Sequence, residues 1–214
     1  MTKSHITSGF AAAMMAVAAA ALPSAPALAD IQFFTGPGSV QPDENVLLNK
    51  GTTGTTVFGD TNQSGLSVTF EGLEDLTLPA AGQARIEAVD GGFQWLNFHM
   101  TDPLLAFGEV EFNIDASADG SGTITFFDQF GNDFANNVTL SGSGQNFFGA
   151  RGINGQLISR VLIETGVDMA DVQQVRLGPI SAIPEAHVWL MMIAGFGLVG
   201  WQLRRRPSLA SAIG

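Results

Sequence analysis

The chain has 214 residues, with 20 acidic side chains against nine basic ones and a net charge of −11. A surface this acidic repels phosphate backbones and argues against a nucleic-acid partner. With no cysteine the chain has no disulfide staples or Cys-ligated metal, and its 16 Phe without one Tyr point to a fold resting on an apolar core.

Residues 1–29 read as a secretory signal peptide. Lys3 gives a positive start, 9–22 is a charge-free core, and Ala27-Leu28-Ala29 is a small-x-small cleavage site with Asp30 opening the mature chain. The core is too short to span a membrane well, and Pro23 and Pro26 would end a helix there. This predicts export, with the secretion machinery and a signal peptidase as partners.

Residues 30–177 are expected to form one all-β domain, an antiparallel β-sandwich of jelly-roll-like type. Between 30 and 183 the only bases are Lys50, Arg85, Arg151, Arg160 and Arg176; these five against 19 acids leave a net charge of −14. Strands are expected at 31–34, 55–58, 66–70, 85–89, 93–98, 107–115, 121–127, 137–141, 146–148, 158–164 and 172–177. Their spacing, with Gly, Asn, Asp and Ser between them, fits a sandwich. In the segment at 107–115, Val110, Phe112 and Ile114 share one face, and Glu109, Glu111, Asn113 and Asp115 the other. Asp90-Gly91-Gly92 reads as a hairpin turn. Residues 168–171 could form one helical turn, and 178–183 read as a linker.

Chemistry-bearing motifs are sparse. Asp60, Asn62, Ser64, Gly65 and Glu71 match the spacing of a calcium loop, with alternating oxygen ligands and a final bidentate Glu. The flanks read as strands, so a plain hairpin turn explains the same residues. The stripe Glu109, Glu111 and Asp115 is either a solvated strand face or a weak cation site. His99 is the single histidine of the middle region, so a catalytic triad would have to run through it. Thr52, Thr53, Thr55 and Thr56 form one cluster, which is too little for a flat ice-binding array.

Residues 186–203 carry no formal charge. As a helix they would be about 27 Å long, close to the ~30 Å hydrocarbon core. Trp189 and Trp201 sit near the ends, where indoles favour the interface, and Arg204, Arg205 and Arg206 would stay on the cytoplasmic side. A C-terminal transmembrane helix with an inward-facing tail at 207–214 is therefore expected, leaving the middle domain outside.

Ile183-Pro184-Glu185, Trp189, Met191-Met192-Ile193, 195–200 (Gly-Phe-Gly-Leu-Val-Gly) and the three arginines resemble the PEP-CTERM sorting signal. Where that family has a second Pro, this chain has Ala186. The resemblance implies a Gram-negative host, transient residence in the inner membrane and recognition by an exosortase, a membrane-embedded cysteine transpeptidase. Cleavage would fall near Pro184-Glu185, followed by release to the cell surface or an exopolysaccharide matrix. Some naming schemes also call such a segment an ice-binding protein C-terminal domain, a label that describes only the tail. The stretches 82–86, 146–148 and 172–178 are loosely similar to β-sandwich domains found upstream of such tails.

The leading expectation is thus a non-catalytic exported surface or matrix protein. The second is a carbohydrate-binding module, with or without calcium, in which Trp95 is the one Trp outside the apolar tail. The third is an extracellular hydrolase.

Overall fold

The computed structural model describes residues 30–80, 84–183 and 186–204, with backbone alone for 186–190 and 203. Ala29, Gly82, Gln83, Pro184, Glu185, Arg205 and Arg206 lie outside the described residues, as do the rest of the signal peptide and the tail at 207–214.

Eleven strands follow one another in chain order. They are β1 (Ile31–Thr35), β2 (Glu44–Leu47), β3 (Thr53–Thr61), β4 (Ser67–Thr77), β5 (Arg85–Ala88) and β6 (Phe93–Met100). Then come β7 (Leu105–Ala116), β8 (Gly120–Asp128), β9 (Asp133–Leu140), β10 (Asn146–Gly152) and β11 (Ile158–Ala182), followed by the helix α1 (Ala186–Arg204). The strand pairings are antiparallel.

The strands make two layers joined through β11. Its first half lies between β6 and β8, in the order β9-β8-β11-β6-β4-β3. Its second half pairs with β7 on one side and with β5 and β2 on the other; β10 and β1 continue that layer. Alternation along each strand turns one side of each layer inward. Leu96, Phe98 and Met100 of β6 meet Val110, Phe112 and Ile114 of β7 in one core. Phe98 and Phe112 touch edge to face across the layers, with centroids 5.7 Å apart, and Phe33 meets Phe126 at 6.0 Å. Each fully buried Phe contributes about 2–3 kcal/mol of apolar burial.

Four expectations are corrected. The segment at 178–183 is not a linker: β11 continues to Ala182, and Gly178, Ile180, Ser181 and Ala182 pair with Glu109, Phe107, Ala106 and Leu105. The two strands expected at 158–164 and 172–177 are one strand of 25 residues. Residues 168–171 are extended rather than helical, because fully buried Met169 pairs with both Phe93 and Ala116. The turn at Asp90-Gly91-Gly92 forms, with Gly91 N donating to Ala88 O, but it does not close a hairpin. β5 pairs with β4 and the second half of β11, whereas β6 pairs with β4 and the first half, so this turn is a corner between layers.

Among the described residues no helix is long and apolar enough to cross a membrane. α1 has 19 residues. Its Met191, Ile193, Phe196, Leu198 and Trp201 are each more than half exposed.

Candidate functional site

The outer faces of the two layers differ in kind. On the first, β6 presents Trp95, Asn97 and His99 outward, alternating with its core residues. Steps of two residues along a strand are about 7 Å, so these three side chains form a column about 13 Å long. The register sets their neighbours. Trp95 faces Glu164 on β11; Asn97 lies between Glu71 on β4 and Leu162 on β11; His99 lies between Thr69 and Arg160. Arg160 in turn faces Phe127 on β8.

Trp95 is partly exposed and outside the core. Beside it a cleft of about 350 Å³ is lined by Leu73, Glu74, Asp90, Gln94 and Asp168 among others. Gln94 Nε2 donates to Asp168 Oδ1 at 2.8 Å. Burial, then the charges of Asp90 and Asp168, push the Glu74 carboxyl above its ordinary range. Asn97 is 5% exposed; its Nδ2 donates to Glu71 Oε2 at 2.6 Å, but its Oδ1 has no partner. A buried acceptor left unpaired is costly, by about 1–3 kcal/mol.

At the other end of the column, His99 Nδ1 lies 2.8 Å from Met100 O. A carbonyl oxygen only accepts, so Nδ1 carries the proton in that bond and Nε2 is left as the outward-facing nitrogen. Among the described residues His99 bonds neither the carboxylate nor the hydroxyl of a triad. The Arg160 guanidinium carbon sits 3.7 Å from the centroid of the Phe127 ring. These three residues line a second cleft, of about 380 Å³, with Met100, Pro103 and Ser159.

The second layer's outer face is covered. Residues 36–43 cross it, with Val40 and Pro42 buried. Gly38 N donates to Glu111 Oε2 at 2.8 Å. Gly149 lacks a Cβ because one there would lie 2.5 Å from Val40 Cγ2. The expected outward stripe is therefore not a free acidic face. Glu109 pairs with Arg151 at 2.5 Å, Glu111 is 4% exposed and reaches Arg176 at 4.0 Å, and Asn113 is fully buried with neither amide atom bonded. Asp115 stands across the ladder from Asp171. Burial first, then Asp115, raise the Asp171 carboxyl to about 6; Glu87 adds to this and Arg85 opposes it.

The residues matching a calcium-loop spacing form the β3–β4 hairpin. Asp60 pairs with Lys50 at 2.7 Å, and Asn62 Oδ1 accepts from Asn45 N at 2.8 Å. Ser64 donates through both N and Oγ to Glu44 Oε2, each at 2.8 Å. Asp60 faces Ser67 while Glu71 faces Thr56. Four rungs, about 13 Å of strand, therefore separate Glu71 from Asp60, too far to close one coordination sphere. The acid that does reach this turn is Glu44. Burial pushes its carboxyl up, but the bonds from Ser64, Thr61 and Gln63 outweigh that and hold it below its ordinary range. Among the described residues no group of three or more His, Cys, Asp or Glu side chains is placed to hold a metal ion.

No protein-family model and no curated protein matches the chain. Among solved structures the chain is similar to a family 29 carbohydrate-binding module from Piromyces equi, at 8% identity and a TM-score of 0.30, covering 74% of this chain and 94% of that one. At that score the likeness carries no argument about fold or ligand.

Proposed function

We propose that this chain is an exported, non-catalytic surface or matrix protein whose sandwich holds a polysaccharide along β6. The observation that carries this is the column Trp95–Asn97–His99, in which a partly exposed, outward indole stands beside an acidic cleft. An indole face covers the apolar side of a sugar ring. Carboxylates accept hydroxyl protons, and Glu71, Glu164, Glu74 and Asp168 are placed around the Trp95 half of the column.

Delivery rests on the two ends of the sequence. Cleavage between Ala29 and Asp30 would release the mature N-terminus. α1 would hold the chain in the inner membrane with Arg204, Arg205 and Arg206 inside, until an exosortase cuts near Pro184-Glu185. The exposed apolar side chains of α1 are compatible with a lipid surround.

Glycan-array binding of the purified full chain in mild detergent, with and without calcium, tests the site. Trp95→Ala should weaken the retained glycans at least tenfold with little change in melting temperature. Equal binding by the two proteins, or no glycan bound by the parent, would defeat the reading. Deleting residues 186–206 should leave a soluble periplasmic product; unchanged surface delivery would remove the sorting role.

A further inference from the structure

Arg160 stands apart among the bases of the sandwich. Lys50, Arg85, Arg151 and Arg176 each have a carboxylate within 4.0 Å. Arg160, with 19 acids in the sandwich, has none within 4.0 Å among the described residues; it is exposed and sits over the Phe127 ring, its guanidinium carbon 3.7 Å from the centroid. Stacking on a ring fixes the plane of a guanidinium while leaving its N–H edge unused, the arrangement that suits a planar anion arriving from solvent. His99 is its partner across the ladder, with Cβ atoms about 5 Å apart at such a position. Its imidazole is held at Nδ1 by the Met100 carbonyl, so Nε2 is the nitrogen left for a ligand. Both residues line the same cleft of about 380 Å³, at the opposite end of the β6 column from the acidic cleft beside Trp95.

We propose that the Arg160–His99 cleft is an anion subsite that takes the carboxylate of an acidic sugar, so that the polysaccharide held along β6 contains uronic acid residues. This rests on the polysaccharide reading above and adds a charge preference to it. A guanidinium edge matches a carboxylate with two parallel N–H···O bonds. His99 supplies a second contact, as a donor when its ring is charged and as an acceptor of a neighbouring hydroxyl when it is neutral. The net acidity of the sandwich opposes a polyanion at long range. At physiological ionic strength that repulsion is screened beyond about 8 Å, whereas a contact in the cleft is not.

The test compares polygalacturonate with its carboxyl-reduced product, a neutral α-linked galactan that differs from it only in oxidation at one carbon, with dextran sulfate as a third arm. Binding to the full chain in mild detergent is measured at 150 mM salt, a concentration chosen to match the screening length above. The expected result is a preference for polygalacturonate over galactan of about tenfold, in line with a well-formed charged contact. Arg160→Gln should bring that ratio close to one, and Arg160→Lys should restore it only in part, because an ammonium lacks the planar edge. Arg160 is on the surface, so melting temperatures of the variants should match the parent and exclude misfolding. Galactan bound as well as polygalacturonate would overturn the subsite and leave the polysaccharide reading standing. Dextran sulfate bound more tightly than the uronate would overturn the carboxylate assignment. Binding of none of the three would overturn the subsite and the underlying reading together.

Discussion

The two outer faces of the sandwich use similar residues to opposite ends. Across β10, β7 and the second half of β11, acids and bases neutralise one another and residues 36–43 lie over them: Glu109 with Arg151, Glu111 with Gly38 N and Arg176. Across β4, β6 and the first half of β11, the aromatic and guanidinium groups remain open. Trp95 has only part of its surface covered, and exposed Arg160 has no carboxylate within 4.0 Å among the described residues. The covered face also holds buried polar atoms without partners, on Asn113 and Asp171, so what separates the two faces is access to solvent. On the β6 face the groups within reach of a ligand are the Trp95 indole and the exposed Arg160 guanidinium.

The contrast can be broken in three ways. Gly149→Ala puts a methyl against Val40 Cγ2 and 3.2 Å from Val110 O, and should lift the crossing segment. Overpacking of this kind costs about 1–3 kcal/mol, a fall of roughly 3–9 °C in melting temperature, read by calorimetry. Glycan binding on the far face should persist; its loss would show that the faces are not independent.

Asp171→Asn should act in the opposite direction. With its folded pKa raised to about 6, Asp171 favours the folded state when protonated. That contribution is present below the unfolded carboxylate pKa and is lost as pH rises through about 6. The substitution should therefore raise the melting temperature at pH 7, by about 2–4 °C once partial exposure is discounted, and change little at pH 4. A pH-independent effect would show that Asp115 and burial do not set the strain.

The smallest effect belongs to the β3–β4 hairpin. Asp60→Asn breaks an exposed ion pair with Lys50 and should cost under about 1 kcal/mol. Melting with and without a calcium chelator should give equal midpoints, since Asp60 and Glu71 are on rungs far apart. A shift would place a cation at this turn after all.

The strands were largely legible because alternation is a local property. Val110, Phe112 and Ile114 could be assigned inward from period two alone, and β6 and β8 were placed within two residues of their bounds. What was not legible depended on partners distant in sequence. β2 (Glu44–Leu47) is four residues long and pairs only two rungs with β3 and two with β11, so it leaves no pattern of its own. Gly178-Pro179 reads locally as a break, and becomes strand only because the start of β7 supplies its pairing. The same holds for the sites. Trp95 and His99 stand out by residue type, but nothing in their local sequence brings Arg160 to His99 or Glu71 to Asn97; the register does. The calcium-like spacing shows the converse, since a linear motif implies a closed loop and the hairpin lays these residues out along a ladder.

β11 carries one more consequence. It ends at Ala182, four residues before α1 begins. Tension on the C-terminal end would enter the domain along the axis of this strand. Antiparallel hydrogen bonds run across the strand direction, so such a pull loads many of them together in shear rather than opening them one by one. The strand is gripped by β7 near its end and by β6 and β8 further in, so both layers share the load. A sandwich tethered in this way should yield late, and as a whole, under flow or traction.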